Sequence, residues 1–223
     1  MSKLGEFFDQ HAAASLDKQQ ALSALMGEHT WSLDSQTGII TFNDKFSFPV
    51  QVLGTESSVS NSWLWAWANR VSPLPERLLV SAKDLRAIGE QQGITELSQS
   101  QISIGDVDGH YLALLASGIC KADCYYRGPY DNGAVFVLMN APPVRQRMDD
   151  SPAHMASIFS QLISTFDVDH RNALRSYLEF KRYKIKESSA ANIVARSSRG
   201  EELTATFDGA GRIKDLEVSQ SKV

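Results

Sequence analysis

The spacing of apolar residues changes from helical to strand-like early in the chain. Leu4, Phe7 and Phe8 begin a pattern of helical spacing that extends over the first 27 residues, with Asp17 as a candidate break within it. From Thr30 onwards apolar and polar residues alternate, in runs separated by turn sequences such as SQTG. The pattern predicts N-terminal helical structure followed by an antiparallel β-meander.

The sequence SNSWLWAWANR, residues 60–70, has a tryptophan at every second position. Because successive side chains of a strand point to opposite faces, Trp63, Trp65 and Trp67 are predicted to share one face, with small apolar residues on the other. A strand that is apolar on both faces is typical of the centre of a sheet, and we favour this core interpretation. The alternative is a wall for a flat ligand, because each buried indole N–H needs a partner.

Polar residues flank the tryptophan segment at both ends. Glu56 and Ser57 precede it in a polar loop, and Asn69 follows it. Side chains of this kind orient a ligand at the rim of an apolar pocket. These three residues and the three tryptophans are therefore candidates for binding a ligand or partner, and the polar ends are better candidates than the rings.

A second group of polar and aromatic residues surrounds the sequence YYRGPYDNG. Arg127 offers a planar guanidinium that can pair with a carboxylate or phosphate, or can tether the turn through Asp131. Tyr126 and Tyr130 flank it, and His110 stands at the start of a predicted short helix. A histidine can act as an acid or base near neutral pH, or can be a satisfied structural residue. These residues complete the set of binding candidates.

The remaining pattern completes an α+β fold. An amphipathic helix is predicted over about 76–92, followed by a short strand, a short helix and two strands joined by a turn. The proline-flanked, charged segment 142–152 lacks periodicity and is a predicted linker. It separates an N-terminal domain, residues 1–141, in which helices pack on a meander sheet, from a smaller C-terminal unit, residues 153–223, made of a helix hairpin and an antiparallel sheet.

Composition narrows the class of protein. The 223 residues are 43% hydrophobic, yet no run approaches the roughly 18 apolar residues of a membrane helix. The two cysteines are too few for a disulfide framework and fit a reducing compartment, so we expect a cytoplasmic protein. The net charge of −4 hides a basic stretch, residues 170–199, with eight Lys or Arg against two Glu. This stretch has no aromatic platform beside it, which argues against a nucleic-acid partner.

Three blocks of sequence resemble a known family. They are TWSLD to WLWAWAN, DGHYLAL to NAPP, and FDVDHRNALRSYLEF with the later TATFDGAGRI. LGTES followed by WLWAWAN, and YYRGPYDNG, are the most specific parts. The chain resembles the bacterial family catalogued as domain of unknown function 6882. This resemblance implies a bacterial cytoplasmic protein, and it implies no activity and no site residue.

Standard catalytic signatures are missing. The sequence has no phosphate-binding loop, no nucleophile elbow and no zinc-ligand spacing. We therefore expect no metal and no cofactor, and we favour a non-enzymatic module that binds a small molecule or a partner protein, with an immunity-type protein as one form. The alternative is an enzyme acting on a small molecule, with His110, Glu56 and Arg127 in a groove beside the tryptophan strand. The sequence identifies no catalytic residue and no oligomeric state.

Overall fold

A computed structural model describes residues 2–220 of the chain. The chain forms two compact units, one of residues 18–147 and the other of residues 1–17 together with 148–223. The described residues contain seven α-helices and eleven β-strands, and the strands pair antiparallel in two sheets. The predicted α+β class is confirmed.

Helix α1, Lys3–Met26, contributes to both units. The predicted break at Asp17 is wrong, because the helix is continuous and Asp17 is fully buried within it. The first 17 residues group with the C-terminal segment, whereas the sequence placed them with the N-terminal domain. The linker expected at 142–152 stays a prediction, and the structure shows that it includes a short helix, α5, Pro142–Gln146.

The unit of residues 18–147 is built on a seven-stranded sheet in which the central strand is the longest. The strands are β1 Trp31–Asp34, β2 Ile39–Phe42, β3 Phe46–Ser57, β4 Ser62–Trp65, β5 Gln101–Ser103, β6 Cys124–Tyr130 and β7 Gly133–Met139. The first part of β3 pairs with β2, and its second part pairs with β4. The register of β3 against β7 shifts between Val52 and Gly54. Such a bulge bends a strand, so β3 leaves β2 for β4 at a curved point of the sheet.

Three more helices complete this unit: α2 Val80–Gln92, α3 Thr95–Ser98 and α4 Gly109–Ile119. Helix α2 ends at Gly93, which takes the left-handed conformation that favours glycine, with φ of 68°. Asp108 caps α4 by accepting a hydrogen bond from the backbone N–H of Tyr111. These helices bury apolar residues such as Leu85 and Leu115.

Besides the first part of α1, the other unit contains two helices followed by four strands, and the sequence predicted this order for the C-terminal segment. They are α6 Pro152–Thr165, α7 His170–Phe180, β8 Lys184–Ser188, β9 Asn192–Arg196, β10 Glu201–Phe207 and β11 Ile213–Gln220. The strands lie in the order β11-β10-β9-β8. Alternate residues of β9 and β10, such as Ile193 and Leu203, are buried together with Phe159 of α6 and Leu174 of α7. One face of this sheet therefore forms the core of the unit.

A buried polar cluster links α1 to α6 and α7 within this unit. The carboxylate of Asp17 accepts from His154 Nε2 at 2.8 Å and from the hydroxyl of Tyr177 at 2.8 Å, and it pairs with Lys181 Nζ at 2.7 Å. Lys181 also contacts Asp150 Oδ1 at 2.8 Å. Each buried charge therefore has charged or hydrogen-bonding partners, which offset the cost of removing it from water.

Candidate functional site

Two of the three tryptophans lie in the core of the unit of residues 18–147. Trp63 and Trp65 are fully buried, and their rings meet edge to face with centroids 5.4 Å apart. Trp63 packs on Phe136 at 5.3 Å, and Trp65 donates its indole N–H to the carbonyl oxygen of Glu96 at 2.9 Å. This side of the sheet is the closed side, as the core interpretation expected.

The prediction of a strand through Trp67 is wrong. Strand β4 ends at Trp65, and Ala66–Ala68 form a 3-10 turn. The ring of Trp67 stacks against Arg86, whose guanidinium carbon lies 4.4 Å from the ring centroid. Within residues 2–220, the indole N–H groups of Trp63 and Trp67 are buried and have no acceptor.

An apolar trough of about 400 Å³ lies on the opposite face of the tryptophan strand. Leu64, which alternates with Trp63 and Trp65, forms part of its floor together with Val52 and Val135. Trp31 and Leu33 of β1 also line it. The trough occurs where the bulge bends β3, because β2 pairs with the part of β3 that precedes the bend and β1 pairs with β2.

The ring of Trp31 is seated directly on the backbone of Gly128. A Cβ atom built on Gly128 would stand 2.5 Å from the Trp31 ring, so only glycine allows this approach. Tyr126 meets the same ring edge to face, with centroids 5.7 Å apart. Backbone and a second aromatic ring therefore fix the position of Trp31 as a flat surface beside the trough.

The segment after β4 adds polar side chains to the lining of the trough. Asn69 lines it, as do Ser72 and Leu74 of the following loop. The side-chain oxygen of Asn69 accepts hydrogen bonds from the backbone N–H groups of Val71 and Ser72, each at 3.1 Å. The Asn69 oxygen is thus used to shape the loop, and its side-chain nitrogen is the group left to donate to a ligand.

A second, smaller pocket of about 220 Å³ lies at the edge of β6, and we call it the histidine pocket. Its lining includes His29, His110, Tyr125, Tyr126 and Arg127. Three of these residues, His110, Tyr126 and Arg127, are binding candidates from the sequence, and all three line this one pocket.

Strand register explains why Glu56, His110 and Arg127 come to the same region. Glu56 pairs with Ala134 and Arg127 pairs with Phe136, two residues further along β7. Residues two apart share a face, so both side chains lie on the face that carries the Phe136 ring. The imidazole of His110 packs edge to face on that ring at 5.5 Å.

The hydrogen bonds of this region hold His110 and Glu56 in place. Glu56 Oε2 accepts from the backbone N–H of Gly109 at 3.1 Å, and His110 Nδ1 lies 2.8 Å from the hydroxyl of Tyr125. Burial raises the pKa of Tyr125 to about 12, so its hydroxyl keeps its proton. Desolvation by the surrounding rings lowers the pKa of His110, as does the positive charge of Arg127, while Asp108 and Glu56 act in the opposite direction.

The amide of Gln19 closes the edge of β6 next to the histidine pocket. Its nitrogen donates to the carbonyl oxygen of Tyr125 at 3.0 Å, and its oxygen accepts from the backbone N–H of Tyr125 at 3.2 Å. One side chain of α1 thus makes both bonds that a neighbouring strand would make. This contact protects an edge strand from pairing with another chain.

The sequence model of one family of unknown function matches residues 5–142. This chain belongs to the family DUF6882. The match includes every residue that lines the trough or the histidine pocket, and it ends before the C-terminal blocks that had also suggested the resemblance. No curated protein and no solved structure matches the chain.

The DUF6882 match extends to two candidate residues that line neither pocket, Ser57 and Tyr130. Ser57 accepts a hydrogen bond from the backbone N–H of Ser60 at 3.3 Å in the turn between β3 and β4. Tyr130 is half exposed at the neighbouring turn between β6 and β7. Both residues shape hairpins, and nothing in their contacts gathers them with the other candidates.

Several charged side chains of the basic stretch, residues 170–199, contact other groups of the same chain. Lys181 is buried against Asp17, and Arg175 pairs with Glu179 at 3.1 Å. Arg171 donates to the carbonyl oxygen of Ala190 at 3.1 Å. Among residues 2–220, no three His, Cys, Asp or Glu side chains form a group suited to a metal ion. No helix in the same range is long and apolar enough to cross a membrane.

The sequence missed Trp31 and His29, which matter most to the two pockets. Trp31 is the first residue of β1. The alternation of apolar and polar residues shows that Trp31 and Ser32 point to opposite faces, but it does not show which residues Trp31 contacts. His29 accepts or donates at Nε2 with the hydroxyl of Tyr126, 3.1 Å away, across 97 residues of sequence. Nothing in the sequence around the SQTG turn or Gly128 predicts the contact of Trp31 with Gly128 or that of His29 with Tyr126.

Proposed function

We propose that this DUF6882 protein is a non-enzymatic binding module, and that its ligand is a small uncharged molecule with an apolar ring held in the trough. The observation that carries this proposal is the rigid apolar lining beside Trp31. The volume of about 400 Å³ lies within the range of sites for small molecules. No described lining residue of the trough carries a charge, which disfavours an ionic ligand.

The shape of the trough supports a flat ligand. Trp31 cannot withdraw into the sheet, because Gly128 lies directly behind its ring. Leu64 and Val135 present branched side chains from two neighbouring strands. Aromatic surfaces that are already fixed lose little entropy when a ring stacks on them, so this arrangement is preorganised. The side-chain nitrogen of Asn69, which lines the trough, can supply one directional hydrogen bond.

We further propose that the protein works in a bacterial cytoplasm. Cys120 and Cys124 are both free thiols. Burial raises their pKa values to about 11 and about 12, so neither is a reactive thiolate near neutral pH. Unpaired cysteines fit a reducing compartment. The bacterial origin rests on the family resemblance in the sequence.

A protein partner, including the toxin of an immunity-type protein, is the second candidate occupant of this surface. Val71 favours it, because this residue of the loop that borders the trough is 94% exposed. An apolar side chain beside an apolar trough extends the surface that a partner can cover. The enzyme alternative depends on Glu56, His110 and Arg127, and it predicts that turnover is lost in His110→Gln.

Calorimetry and thermal unfolding with a panel of neutral aromatic compounds, such as indole and naphthol, test the proposed function. A compound present at 100 times its Kd stabilises the folded state by about 2.7 kcal/mol. For a protein of this size, the midpoint of unfolding then rises by roughly 5–10 °C. We expect at least one compound of the panel to reach this shift.

The variant Thr55→Trp fills the trough and should abolish that binding. Thr55 is half-buried in the trough on β3, where a large β-forming side chain is compatible with the strand. The matched control is Val59→Trp, at a site that is 78% exposed outside the trough, and it should leave binding unchanged. The proposal is contradicted if the unmodified protein binds no compound of the panel. It is also contradicted if Thr55→Trp and Val59→Trp lose binding to the same extent.

A further inference from the structure

A second site with different chemistry lies in the histidine pocket. The guanidinium of Arg127 is half-buried there, and within residues 2–220 it forms no hydrogen bond and no ion pair. A guanidinium carries five N–H donors in a planar fork that matches the two oxygens of a carboxylate or phosphate. An arginine that is partly removed from water without a protein partner is therefore a site for an external anion.

Two of the neighbouring polar side chains already use their hydrogen-bonding groups. His29 Nδ1 lies 2.8 Å from the carbonyl oxygen of Gly27, and its Nε2 lies 3.1 Å from the hydroxyl of Tyr126. The carbonyl can only accept, so Nδ1 carries the ring proton and the Tyr126 hydroxyl donates to Nε2. Neither His29 nor Tyr126 therefore offers a donor to a ligand, and they act as walls of the pocket.

His110 provides the second donor. Its Nδ1 is bonded to the hydroxyl of Tyr125, which keeps its proton because burial raises its pKa. A protonated hydroxyl can donate to Nδ1 or accept from it. When it donates, the neutral ring carries its own proton on Nε2, and the imidazolium carries a proton there in either case. This N–H belongs to a residue that lines the same pocket as Arg127.

We propose that the histidine pocket binds a small carboxylate or phosphate group between Arg127 and His110. This site is separate from the trough and goes beyond the proposed function. The volume of about 220 Å³ suits an anionic group with a small substituent. Two carboxylates lie near His110: Glu56 on β3 and Asp108 at the cap of α4. Their negative charge repels an anion at His110, so we expect the anion to pair mainly with Arg127.

Occupancy of this site should be coupled to the protonation of His110. Desolvation lowers the pKa of this histidine, and the positive charge of Arg127 adds to that effect. A bound anion stabilises the imidazolium, so it raises the pKa of His110, and by linkage the anion binds more tightly as the pH falls through that pKa. A carboxylate and a phosphate differ in charge, so each is tested as a separate probe and their affinities are compared.

NMR titration of the His110 imidazole with sodium benzoate and with inorganic phosphate tests the site, at ionic strength held constant with chloride. We expect a saturable shift with at least one probe and a higher His110 pKa at saturation. Arg127→Gln should weaken that binding at least tenfold, and Arg127→Lys should weaken it less. The control Arg70→Gln removes the same charge from an exposed site outside the pocket and should leave the affinity unchanged.

The outcomes separate this site from the trough and from general charge effects. Thr55→Trp, which fills the trough, should still bind the anion, so the two proposals can fail independently. An equal loss of affinity in Arg127→Gln and Arg70→Gln would show a diffuse charge effect and would overturn the site. The absence of a saturable His110 shift with both probes would overturn it as well.

Discussion

Replacing Asp17 by asparagine measures how much the buried polar cluster contributes to stability. The carboxylate is fully buried, and it faces His154, Tyr177 and Lys181 at 2.7–2.8 Å. Asparagine has nearly the same shape, so the substitution removes the charge and one acceptor oxygen without leaving a cavity. The side chain of Lys181 is only 2% exposed and loses its buried counterion.

The size of the effect follows from that burial. Removing one partner of a buried ion pair costs about 3–5 kcal/mol, because the remaining charge stays uncompensated. Lys181 keeps its contacts with Asp150 Oδ1 and with the carbonyl oxygen of Asp149, so we expect a value near the lower end of that range. A loss of about 3 kcal/mol lowers the midpoint of thermal unfolding by roughly 6–12 °C in a chain of this length.

The matched control is Asp150→Asn, which removes the other carboxylate that contacts Lys181. Its side chain is 65% exposed, so its ion pair is screened by water and contributes about 0–1 kcal/mol. Urea unfolding is followed by far-UV circular dichroism, which reports on both units. Tryptophan fluorescence is followed in parallel, because all four tryptophans lie within residues 18–147. If Asp17→Asn costs no more than Asp150→Asn, the cluster is not a source of stability.

Two further substitutions test individual groups of the core. Trp65→Phe removes a hydrogen bond to the carbonyl oxygen of Glu96, whereas Trp63→Phe removes an indole N–H that has no acceptor among the described residues. Urea unfolding should therefore show a cost about 1 kcal/mol larger for Trp65→Phe, and equal costs would contradict the importance of that bond. Burial raises the pKa of Asp9 from 3.8 to about 6, so the stability that its protonated form contributes is present below about pH 4 and is lost as the pH rises through about 6. Asp9→Asn should raise the free energy of unfolding at about pH 7.5, by less than about 3 kcal/mol because water partly screens this carboxylate, and should have little effect near pH 4; the same change at both pH values would contradict this assignment.

The sequence predicted those elements whose signals are local. Alternation identified the β-meander, and amphipathic spacing identified α2, which ends at residue 92 as expected. Asp169 caps α7 by accepting from the backbone N–H groups of Arg171 and Asn172 at 3.0 Å. Such contacts join residues only two or three positions apart, so a short window of sequence contains both partners.

Contacts between distant residues decided the cases in which the sequence failed. Alternation continues through Trp67, but the part of β3 that would pair with it is bent by the bulge between Val52 and Gly54. Asp17 looked like a break in α1 because its partners His154 and Tyr177 are 137 and 160 residues away. A charge in an apolar helix is either a break or a buried pair, and only tertiary structure distinguishes the two.

The candidate site shows the same division between local and distant contacts. His110, Tyr126 and Arg127 were chosen for their chemistry, and strand register places them in one pocket. The trough could not be predicted, because its walls come from β1 and from the loop after β4, and its floor exists only where the sheet curves. A strand that is apolar on both faces is expected to be buried on both faces. The face of β4 opposite Trp63 and Trp65 instead lines the trough.

The division of α1 between two units has a consequence for the order of events during protein synthesis. Leu4, Phe8 and Ala12 leave the ribosome first, yet they are buried in a unit whose other residues begin at 148. Residues 18–147 can complete their own core while the chain is still growing, whereas the first turns of α1 must wait for α6 and α7. Cleavage of the nascent chain near its N-terminus would therefore report on whether its C-terminal segment has already been made.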